Sequence, residues 1–127
     1  IAATFINEPR VIVNDSIRAI KYHQHGEVLL GFAHGDDLKM KDAGEVMVAD
    51  NESIISSTPY RFFHFGHNHK DSVLDTRLCR AESHRNIAPL NAWAFNKGYR
   101  RQCGTMKCIT YDHSAGEVFR TTYNFTK

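Results

Sequence analysis

The chain has 127 residues, and its 16 basic and 14 acidic residues leave a formal net charge of +2. This length allows one domain at most, which is small for an α/β enzyme. No apolar run reaches the roughly 18 residues that a transmembrane helix needs, and no signal peptide is visible. Three cysteines outside any Cys-X-X-Cys spacing indicate free thiols, so we expect a cytoplasmic protein with no membrane partner.

The charges are unevenly distributed along the chain. Residues 1–60 carry five basic and nine acidic residues, for a net −4, whereas residues 61–127 carry eleven and five, for a net +6. Between residues 77 and 107 there are seven basic residues and a single acid, Glu82. This cluster is either a solvated face or a surface that attracts phosphate or a nucleic-acid backbone.

The first third of the chain predicts mainly strands. Residues 10–14 form an extended run, and residues 17–23 alternate apolar and polar side chains. A glycine-containing turn at residues 24–27 leads into Val28–Ala33, which is continuously apolar. We expect this last run to be a strand that is buried on both faces.

The middle of the chain predicts a helix followed by a second buried strand. Asp37 can cap a helix over residues 38–49, although Gly44 weakens that prediction. Residues 61–65 are rich in aromatic side chains and predict the strand.

The last part of the chain predicts edge strands and a long loop. Residues 72–78 are expected to form an edge or hairpin strand, and residues 82–98 a long loop with a short helical piece. Residues 106–111 and 117–125 predict a terminal hairpin. The fold class is therefore α/β with a predominance of strands.

Histidines follow both of the predicted buried strands. His34 begins His34-Gly35-Asp36, and Gly66-His67-Asn68-His69 lies at the end of residues 61–65. Neutral imidazole is a common metal ligand, and active sites of open α/β sheets lie at the carboxyl edge of the strands. The pattern therefore predicts a metal site at that edge.

These two motifs, with His34 and His67 thirty-three positions apart, resemble the C-terminal half of a calcineurin-like metallophosphoesterase. The resemblance implies a four-layer α/β/β/α sandwich of which residues 1–127 are a single partial domain, paired with an upstream half. It also implies a site with two divalent metal ions, Mn²⁺ first and Fe²⁺ or Zn²⁺ as alternatives. In this assignment His34 and His67 bind one ion and His69 binds the other, while His64 has no counterpart and is expected to be structural.

The resemblance implies hydrolysis of a phosphomonoester or phosphodiester, but it is incomplete. The family's bridging Asp, its Asn ligand and its catalytic His belong to motifs that precede this part of the fold. No such motif occurs in residues 1–33, so we expect the chain alone to be inactive. A rival alignment makes Gly35-Asp36 the family's middle motif, but Lys70 then stands where that alignment needs an acid.

The C-terminal part, from residue 82 through residue 120, is also similar to phage-encoded members described as DNA-repair exonucleases, so DNA is one expected substrate. Arg85 and Arg100 are candidate phosphate-binding residues if the long loop folds over the site. Two other functions stay open. One is a non-catalytic binding module with the same fold, and the other is a nucleic-acid-binding protein that uses its basic half.

Overall fold

The computed structural model describes residues 2–87 and 104–125. They form seven strands, one α-helix and three short 3₁₀ helices. The strands are β1 (Ile20–His25), β2 (Val28–Ala33), β3 (Tyr60–Phe65), β4 (Ser72–Asp75), β5 (Arg80–Ser83), β6 (Thr105–Asp112) and β7 (Gly116–Asn124), and the helix is α1 (Ala43–Asp50). The 3₁₀ helices are Ala2–Thr4, Met40–Asp42 and Ile55–Ser57.

Five strands form one mixed sheet in the order β1-β2-β3-β5-β4. The three central strands, β2, β3 and β5, run parallel, and β1 and β4 pair antiparallel at the two edges. Because parallel neighbours need a crossover, α1 lies in the connection between β2 and β3. The prediction of a strand-rich α/β fold is confirmed at this level.

The core lies between one face of this sheet and α1. Side chains alternate between the two faces of a strand, so Leu29, Phe63 and Phe65 share the face that meets the helix. They pack with Ala43 and Met47 of α1, and all five are at most 2% exposed. This apolar layer fixes β2 and β3 side by side and therefore fixes the points at which both strands end.

Gly31, in the middle of β2, is a point of very close approach in this core. A Cβ built on it would lie 2.7 Å from Cδ2 of Phe63 and 2.8 Å from Cε of Met47. We therefore predict that Gly31→Ala lowers the free energy of unfolding by about 1–3 kcal/mol through overpacking. Urea denaturation of wild type and Gly31→Ala would measure this change. An unchanged urea midpoint would show that the core rearranges to accommodate the added methyl group.

The β6–β7 hairpin packs against the opposite face of the sheet. Phe62 of β3 contacts Tyr111 of β6, with ring centroids 4.8 Å apart. Glu82 of β5 accepts hydrogen bonds from Lys107 and Arg120, one from each strand of the hairpin. The described residues thus stack as helix, sheet and hairpin.

Several element boundaries differ from the sequence prediction. The α-helix begins at Ala43 rather than at residue 38, because a 3₁₀ turn occupies Met40–Asp42. Gly44 lies inside the helix, where a Cβ would come within 2.7 Å of Cβ of Leu78. The glycine therefore allows close packing of the helix rather than weakening it.

The strand predicted over residues 17–23 begins only at Ile20, as β1, and β5 was missed. Residues 11–18 form no strand, and the side chains of Ile12 and Ile17 are 95% and 103% exposed. β5 begins in the short gap between the predicted strand over residues 72–78 and the predicted long loop, and it extends into that loop, because its short mixed sequence has no apolar period of its own. The hairpin prediction is confirmed as β6 and β7.

Two further expectations concern the cysteines and the membrane. Cys79 and Cys108 are free thiols, as predicted, and Cys103 lies outside the described residues. Within residues 2–87 and 104–125, no helix combines the length and the apolar character that crossing a bilayer requires.

Candidate metal centre

The two histidine motifs leave the sheet at neighbouring positions. β2 and β3 are paired in register up to Ala33 and Phe65, so His34 and Gly66 come next on adjacent strands. The N–H of Gly66 donates to the carbonyl of His34 at 3.0 Å, which extends the pairing by one step. The carboxyl edge of the parallel strands therefore presents both motifs together.

His34 and His67 are in direct contact at this edge. Nδ1 of His67 lies 3.1 Å from Nε2 of His34, and the ring centroids are 4.9 Å apart. Two nitrogens bound to one ion at about 2.0–2.1 Å would lie about 2.9 Å apart at a right angle and about 3.3 Å apart at the tetrahedral angle. The observed separation falls between these values, so the pair fits a shared metal ion.

The backbone around His67 is strained. His67 and His69 both adopt positive φ angles, 55° and 51°, and they are the two such non-glycine residues in the described part of the chain. The N–H of Asn68 between them donates to the carbonyl of Gly66 at 2.6 Å. Backbone outliers of this kind cost about 1–3 kcal/mol each and cluster at functional sites. The loop thus holds an unfavourable backbone shape at the two histidines that follow β3.

His69 does not complete a three-ligand cluster with the pair. Among residues 2–87 and 104–125, no third His, Cys, Asp or Glu places a ligand atom within 4.8 Å of the atoms of His34 and His67. Asp36 lies nearby, in the wall of the adjacent cleft, but without such a contact. The ligation of metal by His34, His67 and His69 stays a prediction, and the residues present fit one ion better than two.

A cleft of about 560 Å³ opens beside His67. Three lysines line it, Lys39, Lys41 and Lys70, together with Asp36 and Asn68. All three lysine side chains belong to exposed residues. Positive charge beside the His34–His67 pair attracts anionic ligands and raises their local concentration.

The two predicted phosphate-binding arginines have different outcomes. Nε of Arg85 lies 3.1 Å from a carboxylate oxygen of Asp71, so this side chain is engaged by an acid in the present conformation. Arg100 lies outside the described residues. Phosphate binding by either arginine stays a prediction.

A second cluster lies on the hairpin side of the sheet and was not predicted. Together His64, Glu82 and His84 offer ligand atoms that all lie within 4.8 Å of one another, so this group could hold a metal ion. Nδ1 of His64 is 2.8 Å from Nε2 of His84, and Nε2 of His64 is 2.7 Å from the hydroxyl of Tyr111. It is the one such group of three among the described residues.

The charges around this second cluster are set by burial and by ion pairs. Burial lowers the pKa of His64 to about 4, with the neighbouring His84 adding to the effect. Burial also lowers the pKa of His84. Burial alone would raise the pKa of Glu82, but hydrogen bonds from Arg120 and Lys107 outweigh it and lower this pKa to about 2. At neutral pH both imidazoles are therefore neutral and the carboxylate is charged.

One feature of the sequence is consistent with this cluster and could have been used to predict part of it. Glu82 and His84 stand two positions apart, the spacing that places strand residues on one face. The parallel register that pairs His64 with Glu82 comes only from the sheet. Without a predicted β5 there was no reason to bring these residues together.

Comparison of the chain with protein-family models, with curated proteins and with solved structures finds no match. A functional assignment therefore depends on the geometry of the two histidine clusters and on the chemistry of their neighbours.

Proposed function

We propose that this protein is a metal-dependent phosphoesterase whose metal centre lies at the carboxyl edge of β2 and β3. The observation that carries the proposal is the 3.1 Å separation of the His34 and His67 nitrogens, which suits two ligands of one ion. The strained loop around His67 and His69 supports it, since such strain persists where the surrounding structure and function require it.

The neighbouring cleft suits an anionic substrate. Divalent ions in such a centre polarise phosphoryl oxygens and lower the pKa of bound water. Lys39, Lys41 and Lys70 can neutralise the remaining charge of a phosphate ester in the cleft that they line. A phosphomonoester or phosphodiester, with DNA included in the second class, is the substrate that this charge pattern favours.

The described residues do not assemble a second ion site around His69 at this edge of the sheet. His69 is the ligand that the resemblance gives to a second ion, and no carboxylate bridges it to the pair within residues 2–87 and 104–125. We therefore propose that residues 1–127 form one part of the phosphoesterase domain. The bridging carboxylate would come from its upstream half, in a four-layer sandwich, and Mn²⁺ would be the preferred ion.

Ion pairs disfavour the alternative of a free basic surface that binds nucleic acid without chemistry. Lys107 lies within 3.0 Å of carboxylate oxygens of both Asp71 and Glu82, and Arg85 also contacts Asp71. Arg80 lies 3.9 Å from Asp75. Three of the four described members of the basic cluster thus have acidic partners.

The test is hydrolysis of bis(p-nitrophenyl) phosphate in the presence of Mn²⁺. We expect little or no turnover by the 127-residue chain alone, and turnover when it is produced together with the upstream half. His34→Ala/His67→Ala should reduce that turnover by more than about 100-fold, since even outer partners of metal ligands contribute about 10–100-fold.

His23→Ala/His25→Ala is the matched control, because both histidines are exposed residues of β1. It should leave the rate unchanged. Robust turnover by the chain alone would mean that it carries a complete site and that the partial-domain assignment is wrong. Absence of turnover in both preparations would count against the phosphoesterase itself.

A further inference from the structure

A line of polar side chains joins three strands on the hairpin face of the sheet. The hydroxyl of Tyr111 in β6 meets Nε2 of His64 in β3 at 2.7 Å. Nδ1 of His64 meets Nε2 of His84, just after β5, at 2.8 Å. At the end of the line, Nδ1 of His84 lies 3.8 Å from a carboxylate oxygen of Glu82.

Hydrogen bonds alone cannot satisfy this line. Nδ1 of His84 is buried and has no hydrogen-bond partner. If His84 donates its Nε2–H to His64, its Nδ1 carries a lone pair that faces a negative carboxylate. If His64 donates instead, the Nδ1–H of His84 points to an acceptor 3.8 Å away, beyond hydrogen-bonding distance. Either tautomer leaves a buried polar atom unpaired, which is unfavourable.

A metal ion between the two facing nitrogens would replace the hydrogen bond between them and would fix the tautomer of His84 that turns a donor, rather than a lone pair, toward the carboxylate of Glu82. We propose that Nδ1 of His64 and Nε2 of His84 bind a divalent transition-metal ion, with Zn²⁺ as the best fit, at a site separate from His34 and His67. Their 2.8 Å separation is close to the roughly 2.9 Å expected for two ligands at a right angle.

One outer partner of such a site, Tyr111, is already in place, and a second, Glu82, lies just beyond hydrogen-bonding distance. With both facing nitrogens on the ion, the Nε2–H of His64 donates to Tyr111 and the Nδ1–H of His84 faces Glu82. Metal-bound histidines nearly always direct their other nitrogen to a carboxylate, a carbonyl or a hydroxyl-like partner of this kind. The Nδ1–H of His84 would then point toward the charge of Glu82, at a distance longer than a hydrogen bond.

The surrounding charges decide which ion the site selects. Glu82 is held by Lys107 at 3.0 Å and by Arg120 at 2.6 Å, so it is an outer partner rather than a ligand. With its carboxylate occupied in this way, the group has no free carboxylate for hard ions such as Mg²⁺ and Ca²⁺, which depend on such ligands. Imidazole nitrogen suits Zn²⁺ and its neighbours, and the lowered pKa values of both histidines leave them neutral and ready to coordinate.

The remaining coordination positions face open space. His64 and His84 both line a cleft of about 520 Å³ between the sheet and the hairpin, whose other walls include Phe32, Arg85 and Lys107. An ion with two protein ligands would complete its shell there with water, as in sites that keep an open position. Because its ligands and their partners come from β3, β5 and β6, the ion would also fasten the hairpin to the sheet.

The experiment uses the 127-residue chain carrying His34→Ala/His67→Ala, so that the proposed phosphoesterase pair cannot contribute. Equilibrium dialysis against Zn²⁺ alone at about pH 7 should show one bound ion, and Zn²⁺ should raise the melting temperature. Adding His64→Gln/His84→Gln to this background should abolish both effects. Adding His25→Ala/His113→Ala, which removes another contacting pair of histidine rings, should abolish neither.

If the quadruple mutant fails to fold, a milder variant still tests the proposal. Tyr111→Phe keeps the ring that packs on Phe62 and removes only the hydroxyl beside His64. It should weaken Zn²⁺ binding by about 10–100-fold. Failure of the His34→Ala/His67→Ala chain to bind Zn²⁺, or equal affinity after Tyr111→Phe, would overturn the proposal without affecting the phosphoesterase assignment.

Discussion

Replacing Glu82 by Gln should lower the free energy of unfolding by about 3 kcal/mol at neutral pH. The residue is 1% exposed, and its two oxygens accept hydrogen bonds from Lys107 and Arg120. Removal of one partner from a buried ion pair costs about 3–5 kcal/mol because the opposite charges stay buried without compensation. The side chain of Arg120 is 27% exposed, so water can relieve part of this cost and the lower end of the range applies.

The pH dependence of this effect has a definite sign. The pKa of Glu82 falls from an ordinary 4.5 to about 2 in the folded protein. Its contribution is therefore complete above pH 4.5 and disappears as the pH falls toward 2, since protonation is favoured in the unfolded chain. Wild type and Glu82→Gln should differ most at neutral pH and converge in acid.

Urea denaturation at several pH values would measure both parts of this prediction. Glu8→Gln is the matched control, because the Glu8–Arg10 pair is on the surface and the side chain of Arg10 is 85% exposed. An exposed pair contributes little, so no measurable change is expected there. A Glu82→Gln protein as stable as wild type at neutral pH would show that the hairpin is held to the sheet by apolar contacts alone.

The parts of the fold that the sequence predicted are those with strong local patterns. β2 is continuously apolar and fully buried over its first four residues, and the β6–β7 hairpin has alternating strands on either side of a tight turn. The position of the carboxyl edge of the sheet follows from the predicted buried strands. Because His34 directly follows β2 and His67 is the second residue after β3, their positions at the strand ends are enough to predict that the two lie close together.

The parts that the sequence did not predict depend on tertiary pairing. Arg80–Ser83 is too short and too polar to indicate a strand, yet it is buried between β3 and β4. The cluster of His64, Glu82 and His84 exists only because β5 pairs with β3. In the same way, Ile12 and Ile17 are β-branched residues typical of strands, but both are exposed, and their segment pairs with no strand of the described chain.

Replacing Phe63 by Ala should destabilise the protein by about 3–5 kcal/mol, the usual cost of removing a buried aromatic ring from a core. Phe63 is 0% exposed and belongs to the core cluster beneath α1. Its ring stacks on Phe65 at a centroid distance of 4.7 Å and meets Tyr22 edge-on at 6.1 Å. The cavity would lie directly beside Phe65, the last residue of β3 before the loop that carries His67.

This position couples the core to the candidate metal site. In the folded fraction of Phe63→Ala, the loop would lose the packing that holds Phe65, and we expect metal binding at His34 and His67 to weaken along with stability. Phe119→Ala is the control, since this residue is 59% exposed on the hairpin and its loss should change stability by less than about 0.5 kcal/mol. Thermal melting with and without Mn²⁺ would compare the three proteins. If Phe63→Ala melted like wild type, the sheet would have to be held by its backbone pairing rather than by the core that α1 covers.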